Sequence, residues 1–316
     1  MLSLPVVQVA IGVVAVMAIG SVARLIAVRA AAPEVKNARL KSLATWWGVA
    51  LLVLAAALLG KSFAVVLFLV VSLIALREFF NLRRDVIRQP SVRWAAYALV
   101  PLSYLCVLLG WEGAFLVCIP AAGLVVLATA MIVSGQTSNY PSAVGETYWG
   151  LLLTSYAPAH AVLLFCLPAE GNPVAGPAGW FLILLLLTET SDIVQALVGR
   201  RIGRRTIAPR ISPHKTWAGL VGGLVGTSLL AALLSPWLTP WSIGTAIVAG
   251  LLVCAAGFLG DLNISGIKRA CGVKDTSALL PGQGGMLDRI DSLSFAAPAF
   301  FWFVVAVQLA AEGRPG

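Results

Sequence analysis

The sequence predicts an all-α, polytopic integral membrane protein, a helical bundle of about ten transmembrane helices. Three observations lead there. Hydrophobic residues make up 59% of the chain and charged residues only 11%, against about 25% charged in an ordinary soluble domain. Mean hydropathy is +0.94. Apolar runs long enough to cross roughly 30 Å of hydrocarbon recur from one end of the chain to the other.

Taken in order, the first run, 4–23, has no basic segment ahead of it and Arg24 follows it, so it reads as a retained helix, not a leader. Runs 44–60 and 62–77 are short and joined at Gly60-Lys61, which favours a tight helical hairpin, with a single re-entrant element as the alternative. Runs 94–110, 113–134 and 149–168 follow, the last two separated by the turn-rich, nearly uncharged stretch 135–148. A second such stretch, 168–178, leads to runs 178–198, 217–236, 240–260 and 292–311.

The basic residues fall on alternate connections. Segment 24–43 holds Arg24, Arg29, Lys36, Arg39 and Lys41; segment 77–93 holds Arg77, Arg83, Arg84, Arg88 and Arg93. Segment 199–216 holds Arg200, Arg201, Arg204, Arg205, Arg210 and Lys215; segment 261–291 holds Lys268, Arg269, Lys274 and Arg289. Of the 22 Lys and Arg residues only Lys61 and Arg314 lie on the other side. By the positive-inside rule the rich side is cytoplasmic and both termini face outward. The net charge of +9 is then topology and attraction to anionic lipid headgroups. It argues against nucleic acid as a partner, since no recognition motif accompanies it. The five cysteines are scattered without CxxC or Cys/His spacing, so neither a zinc site nor a disulfide framework is indicated.

Chemistry concentrates late in the chain. We expect residues 1–176 to form scaffold helices, with surface for lipid or for a second copy in a homodimer, and residues 177–316 to carry the catalytic region. Two clusters define it. In the first, Thr188 to Gly223, Glu189 and Asp192 share a face of the seventh helix. A Gly- and Pro-punctuated basic loop follows, ending in Ser212-Pro213-His214-Lys215. In the second, Asp261 ends the ninth helix, and the spacing of Lys268, Arg269, Lys274 and Asp275 suits a short amphipathic helix. The turn Pro281-Gly282-Gln283-Gly284-Gly285 comes next, and Asp288-Arg289-Ile290-Asp291 leads into the last helix. Ionisable groups at membrane depth are costly and are kept for a task. Asp288 and Asp291, three apart, could share one metal. Carboxylate oxygens without His or Cys nearby favour magnesium or manganese over zinc. A glycine turn can bring backbone close to a phosphate. The plainer alternatives are a lipid-anchoring basic loop for the first cluster and solvated Asp–Lys/Arg pairs for the second.

Both clusters resemble those of the CDP-diacylglycerol synthase (phosphatidate cytidylyltransferase) family. The second matches that family's pattern at Ser265, Lys268, Arg269, Lys274, Asp275, Gly284, Gly285, Asp288, Arg289 and Asp291. The first matches at Asp192, Gly199, Gly203, Pro209, Ile211, Ser212, Pro213, Lys215, Thr216 and Trp217. The likeness is specific over 190–225 and 258–295. The chain departs at Ile193, where the family has Thr, at Ala218 and Ile264, where it has Glu, and at Gln283, where it has His.

The resemblance implies transfer of CMP from CTP to phosphatidic acid, giving CDP-diacylglycerol and pyrophosphate, in the inner (plasma) membrane with the site facing the cytoplasm. It implies Asp192, Asp261, Asp288 and Asp291 as ligands of Mg2+ or Mn2+, with room for two ions. Lys268, Arg269, Lys274, Asp275 and Arg289 become catalytic residues, and Lys215, Ser212, Gln283, Gly284 and Gly285 contact substrate. A phosphate nucleophile is already ionised near neutral pH, so the change from His to Gln283, which cannot act as a base, is compatible with the chemistry. Action on another lipid phosphate, or transfer of a γ-phosphoryl group to a lipid alcohol, is the neighbouring reading; the latter needs a base that this region lacks. A transporter would call for repeated halves with paired broken helices, and the polar content is wholly asymmetric.

Overall fold

The computed structural model describes residues 3–27, 33–135 and 137–313; Arg29 and Arg314 lie outside them. Among the described residues ten helices are long and apolar enough to cross a membrane. They are α1 (Leu4–Ala27), α2 (Pro33–Leu59), α3 (Lys61–Leu82), α4 (Pro90–Leu109), α5 (Glu112–Val133) and α6 (Tyr140–Cys166). The others are α7 (Gly176–Ile202), α8 (Trp217–Leu238), α9 (Ile243–Ala270) and α10 (Leu293–Ala311). Every predicted span is present, and the protein is a multi-pass membrane protein.

The outward faces are apolar: Leu229, Leu233, Val133 and Ile243 are well exposed. Water would penalise such a belt and hydrocarbon does not. α2 and α3 are two separate helices, and Gly60 at φ 82° makes the reversal that a side chain would resist. α5 and α6 each contain a π turn, Cys118–Gly123 and Leu152–Tyr156. In the first, Pro120 supplies no N–H to the ladder, and the Tyr148 hydroxyl donates to its carbonyl at 2.9 Å.

The two ends of the bundle differ in character. One end gathers Ser3, Asn172 and Leu238: Ser3 bonds the Ala175 carbonyl and Asn172 bonds the Leu238 carbonyl. The opposite end gathers the basic segments. There Arg83 pairs with Glu146, Arg269 donates to the Ile211 carbonyl, and Gln283 donates to the Ser42 carbonyl. The alternation of charge along the sequence is thus realised as two ends of one bundle.

Three expectations change. α7 and α9 run to Ile202 and Ala270, so Asp192 and Asp261 sit well inside helices rather than at their ends. In α9 the apolar run stops at Asp261 but the helical face does not. Val194 and Val198 pack on Gly226 and Gly222 of α8, and Ile264 is fully buried. Lys268 and Arg269 then close α9, where cations complement the helix dipole. Residues 271–292 accordingly hold no amphipathic helix; they form a chain of turns pinned by side chains. The basic loop after α7 is a β-hairpin, β1 (Thr206–Ala208) with β2 (Ser212–Thr216), pairing Thr206 with Thr216 and Ala208 with Ser212.

Candidate active site

Close helix packing places the site. α7 and α8 approach through Gly222 and Gly226, where any side chain would strike Val198 and Val194. This is the small-residue contact that membrane helices use in place of a hydrophobic driving force. α9 meets the start of α10 in the same way, Gly260 lying against the Asp291 carbonyl. These contacts carry Asp192 on α7, Asp261 on α9 and Asp291 ahead of α10 to one neighbourhood.

Lys215, near the end of β2, reaches into it. Its ammonium is 2.6 Å from Asp261 Oδ2 and 4.0 Å from Asp192 Oδ1. It donates to Gln195 Oε1 at 3.2 Å and lies 5.5 Å from the Phe258 ring centre. Burial opposes its charge, but Asp261 and Asp192, with Asp291 behind them, outweigh burial and hold it above the ordinary lysine value. The Asp291 carboxyl is pushed well above the usual range, first by burial and then by the charges of Asp261 and Asp192. Asp261 also accepts from Ser265 at 3.2 Å, and Asp291 from the Ser292 N–H at 2.8 Å.

Buried atoms here without a hydrogen-bond partner include Asp192 Oδ1, Arg289 Nε and the neighbouring Ser292 Oγ. Arg289 lies within electrostatic reach of both Asp192 and Asp291. Buried polar atoms are nearly always satisfied. An orphaned carboxylate oxygen beside an orphaned guanidinium N–H fits a cation and an anion arriving together.

The second cluster is organised differently. Asp288, almost fully buried, is saturated by the protein. Lys268 bonds Oδ1 at 2.7 Å, and the Thr276 and Gly285 N–H groups each bond Oδ2 at 2.9 Å. Burial alone would raise this carboxyl, but Lys268 and the Gly285 and Thr276 N–H groups hold it below the usual range. Asp288 and Asp291 therefore diverge. The first ties down the loop, and the second faces the other two acids. Gly284 and Gly285 close on Asp288 and on the carboxylate of Glu78. Gln283 turns toward α2, Ser212 heads β2 half-buried, and Lys274 and Asp275 are exposed on the rim. Arg269 spans the Ile211 and Val273 carbonyls, joining hairpin to loop.

Glu78 of α3 is the residue that sequence reasoning missed. It is 5% exposed and accepts four hydrogen bonds from one loop. Ser277 Oγ and the Met286 N–H serve Oε1 at 2.6 and 3.0 Å; Thr276 Oγ1 and the Leu287 N–H serve Oε2 at 3.0 and 2.8 Å. Thr276 Oγ1 is also 2.9 Å from Asp288 Oδ2, so its single proton serves one carboxylate at a time. The available signal was an acid inside an apolar run, Arg77-Glu78-Phe79-Phe80, which reads equally well as an interfacial charge.

Hard carboxylate oxygens and the orphaned Asp192 Oδ1 suit a divalent cation. Among the described residues, however, no three His, Cys, Asp or Glu side chains form a ready-made ligand cluster. Lys215 stands where such an ion would be drawn.

Comparison with known proteins bears on the same segments. The model of the cytidylyltransferase family matches residues 40–307. The chain is 39% identical over 260 residues to the uncharacterized protein YnbB of Escherichia coli (strain K12), covering 82% of this chain and 85% of that one. It is 42% identical over 183 residues to a phosphatidate cytidylyltransferase of Pseudomonas aeruginosa, and 40% identical over 132 residues to one of Haemophilus influenzae. Those two matches span 63% and 46% of the respective enzymes. With a family match over most of the chain, and with the acids and bases that the motifs single out drawn to one end of the bundle, the protein belongs to the cytidylyltransferase family.

Proposed function

We propose that the protein transfers CMP from CTP to a lipid phosphate, phosphatidic acid in the first instance, at the cytoplasmic end of the bundle in the inner (plasma) membrane. In that reaction a phosphate oxygen of the lipid attacks the α-phosphorus of CTP, the bond from that phosphorus to the bridging oxygen breaks, and pyrophosphate leaves with the electron pair. Two polyanions must meet, so cationic groups do most of the work.

The observation that carries this reading is the pair of buried atoms without a hydrogen-bond partner, Asp192 Oδ1 and Arg289 Nε, on side chains within electrostatic reach of each other. Arg289 would donate to a phosphate oxygen. Lys215, held charged by Asp261 and Asp192, would swing from the acids to a phosphate as substrate enters. Asp192, Asp261 and Asp291 would then be free to hold Mg2+ or Mn2+, which when bound supplies Lewis-acid neutralisation of the triphosphate. Asp288, with Lys268, Thr276 and Gly285, keeps the loop that carries Arg289 and Asp291 in place. Exposed Lys274 and Arg269 would draw CTP toward the rim.

The test is a purified-protein assay with radiolabelled CTP and a panel of lipid phosphates, in Mg2+ and in excess EDTA. The expected result is Mg2+-dependent formation of CDP-diacylglycerol, lost in Asp261→Asn. Absence of a CTP-dependent lipid product with every lipid, or full turnover in EDTA, would overturn the reading.

A further inference from the structure

Lys215 sits among the acids yet leaves one of them open. Its backbone is fixed: the adjoining Thr216 pairs with Thr206 across the hairpin and caps α8 by accepting the Gly219 N–H at 3.1 Å. Only the ammonium is left to choose among neighbours, and it carries three donors and no acceptor. Two acceptors lie within bonding distance, Asp261 Oδ2 at 2.6 Å and Gln195 Oε1 at 3.2 Å. Asp192 Oδ1, at 4.0 Å, is too far for a hydrogen bond and accepts none from any other group. A neutral amide thus takes a donor for which a carboxylate one turn away on α7 competes.

The packing around Gln195 explains why the amide prevails. Gln195 is 3% exposed. Its Nε2 donates to Ser191 Oγ, one turn back on α7, at 2.7 Å and reaches Cys254 Sγ of α9 at 3.6 Å. The orientation of the amide follows from its neighbours, since the flipped amide would aim its NH2 at an ammonium. Gly223 of α8 closes the remaining side: a Cβ there would come within 2.5 Å of Gln195 Cγ. Three helices therefore fix Oε1, and Oε1 fixes where the ammonium rests.

We propose that Gln195 is a positioning residue: by taking one donor of Lys215 it holds the ammonium off Asp192 and keeps Asp192 Oδ1 open to a divalent cation. The proposal rests on the reading of Asp192, Asp261 and Asp291 as ligands of that cation, and it needs neither the nucleotide nor the lipid. Without the amide oxygen, a shift of about 1 Å brings the ammonium to the 2.7–2.9 Å of a charge-assisted hydrogen bond with Asp192. Lys215 then closes the position that the cation would take.

The experiment follows Mn2+ binding to the full chain by electron paramagnetic resonance, in an uncharged detergent and without CTP. Gln195→Met keeps the length of the side chain and removes the acceptor; its Kd for Mn2+ should rise about tenfold over wild type. Ser191→Ala keeps the acceptor but frees the amide to turn, and should weaken Mn2+ in the same direction by less. In a Lys215→Met background, Gln195→Met should change Kd by less than about twofold, because the lysine through which the amide acts is gone. A packing defect would instead weaken binding equally in both backgrounds. In turnover, the activity that Gln195→Met loses at low Mg2+ should return as Mg2+ is raised, which a packing defect would not allow. Should Gln195→Met fail to fold, Ser191→Ala with and without Lys215→Met completes the same cycle. Unchanged or tighter Mn2+ binding in Gln195→Met, an equal loss with and without Lys215, or no saturable Mn2+ binding to either wild type or Lys215→Met would overturn the proposal. Because binding is read without CTP, the full pattern with no CTP-dependent lipid product would sink the cytidylyl-transfer reading alone. Mg2+-dependent product with Gln195 and Lys215 uncoupled would sink the positioning role alone.

Discussion

Glu78 gives the sharpest prediction, because it lies on α3, far in sequence from every motif residue, yet anchors the loop that carries them. Glu78→Ala removes the acceptor for two backbone N–H groups, Met286 and Leu287, and for the hydroxyls of Thr276 and Ser277. The site is buried, with Glu78 only 5% exposed, so water does not readily replace it. Each buried donor left unmade costs about 1–3 kcal/mol, so the two N–H groups alone put roughly 2–6 kcal/mol against the ordered loop. Since 1.4 kcal/mol is a factor of ten, the ordered population should fall at least about thirtyfold if that loop opens as a local unit. The assays are amide hydrogen exchange at Met286 and Leu287 and turnover on the same preparation. Exchange there should accelerate while α4 and α5 stay protected, and kcat/KM should fall by at least roughly tenfold. Glu78→Gln keeps one acceptor oxygen but sets an NH2 against donors, so it should fall between wild type and Glu78→Ala. Unchanged exchange at Met286 and Leu287 in Glu78→Ala would refute the anchoring argument, whatever the activity.

Further expectations follow from the same geometry. Asp288 is held below the usual carboxylate range by Lys268 and two N–H groups, so its contribution to stability is full above the unfolded value near 3.9 and is lost as pH falls through the folded value. Lys268→Met should therefore move acid unfolding in detergent to higher pH, and an unmoved transition would count against the pair. Lys215→Met leaves Asp261, Asp192 and Asp291 without their cation; turnover should vanish while Mn2+ binding to CTP-free protein, followed by electron paramagnetic resonance, becomes tighter. Weaker Mn2+ binding would place the ion elsewhere. Gln283 bonds the Ser42 carbonyl through Nε2, a bond that histidine can also donate, so Gln283→His should change kcat by less than about threefold, under ~1 kcal/mol; a loss beyond tenfold would give Gln283 a role that a hydrogen bond to Ser42 does not explain.

The sequence made the membrane architecture legible because hydrophobic length is a strong signal and loop charge an independent one. Both point to an even number of spans, and the structure shows ten among the described residues. What it concealed follows from the same logic. Apolar runs end where charges begin, so α9 was read as ending at Asp261 and α7 as ending short of the basic pair Arg200-Arg201. Their backbones continue to Ile202 and Ala270 because a helix ends at a break in capping or packing, not at the first carboxylate. The acids then lie within the bundle's depth instead of on its rim. Neither could spacing tell Asp288 from Asp291. Three residues apart, they look like one bidentate pair, but a turn of irregular backbone sends Asp288 to Lys268 and Gly285 and Asp291 to Asp261 and Asp192.

The departures from the family pattern acquire meaning at this level. Ile264, where the family has an acid, is fully buried among apolar neighbours on α9, a position where an unpaired carboxylate would cost several kcal/mol. Ile193, next to Asp192 on α7, is exposed. Both changes strip polar character from the walls of the site and leave its charges to Asp192, Asp261, Asp291, Lys215 and Arg289. With fewer fixed acids, one lysine suffices to hold the remaining three together before substrate arrives. Under the proposed reaction, the same lysine would then leave them for the triphosphate. Such a site would couple cation entry to anion entry. A cation at the unpartnered Asp192 oxygen and an anion at the unpartnered Arg289 N–H would, under that reaction, offset each other, because in a low-dielectric pocket two opposite charges entering together are far cheaper than either alone.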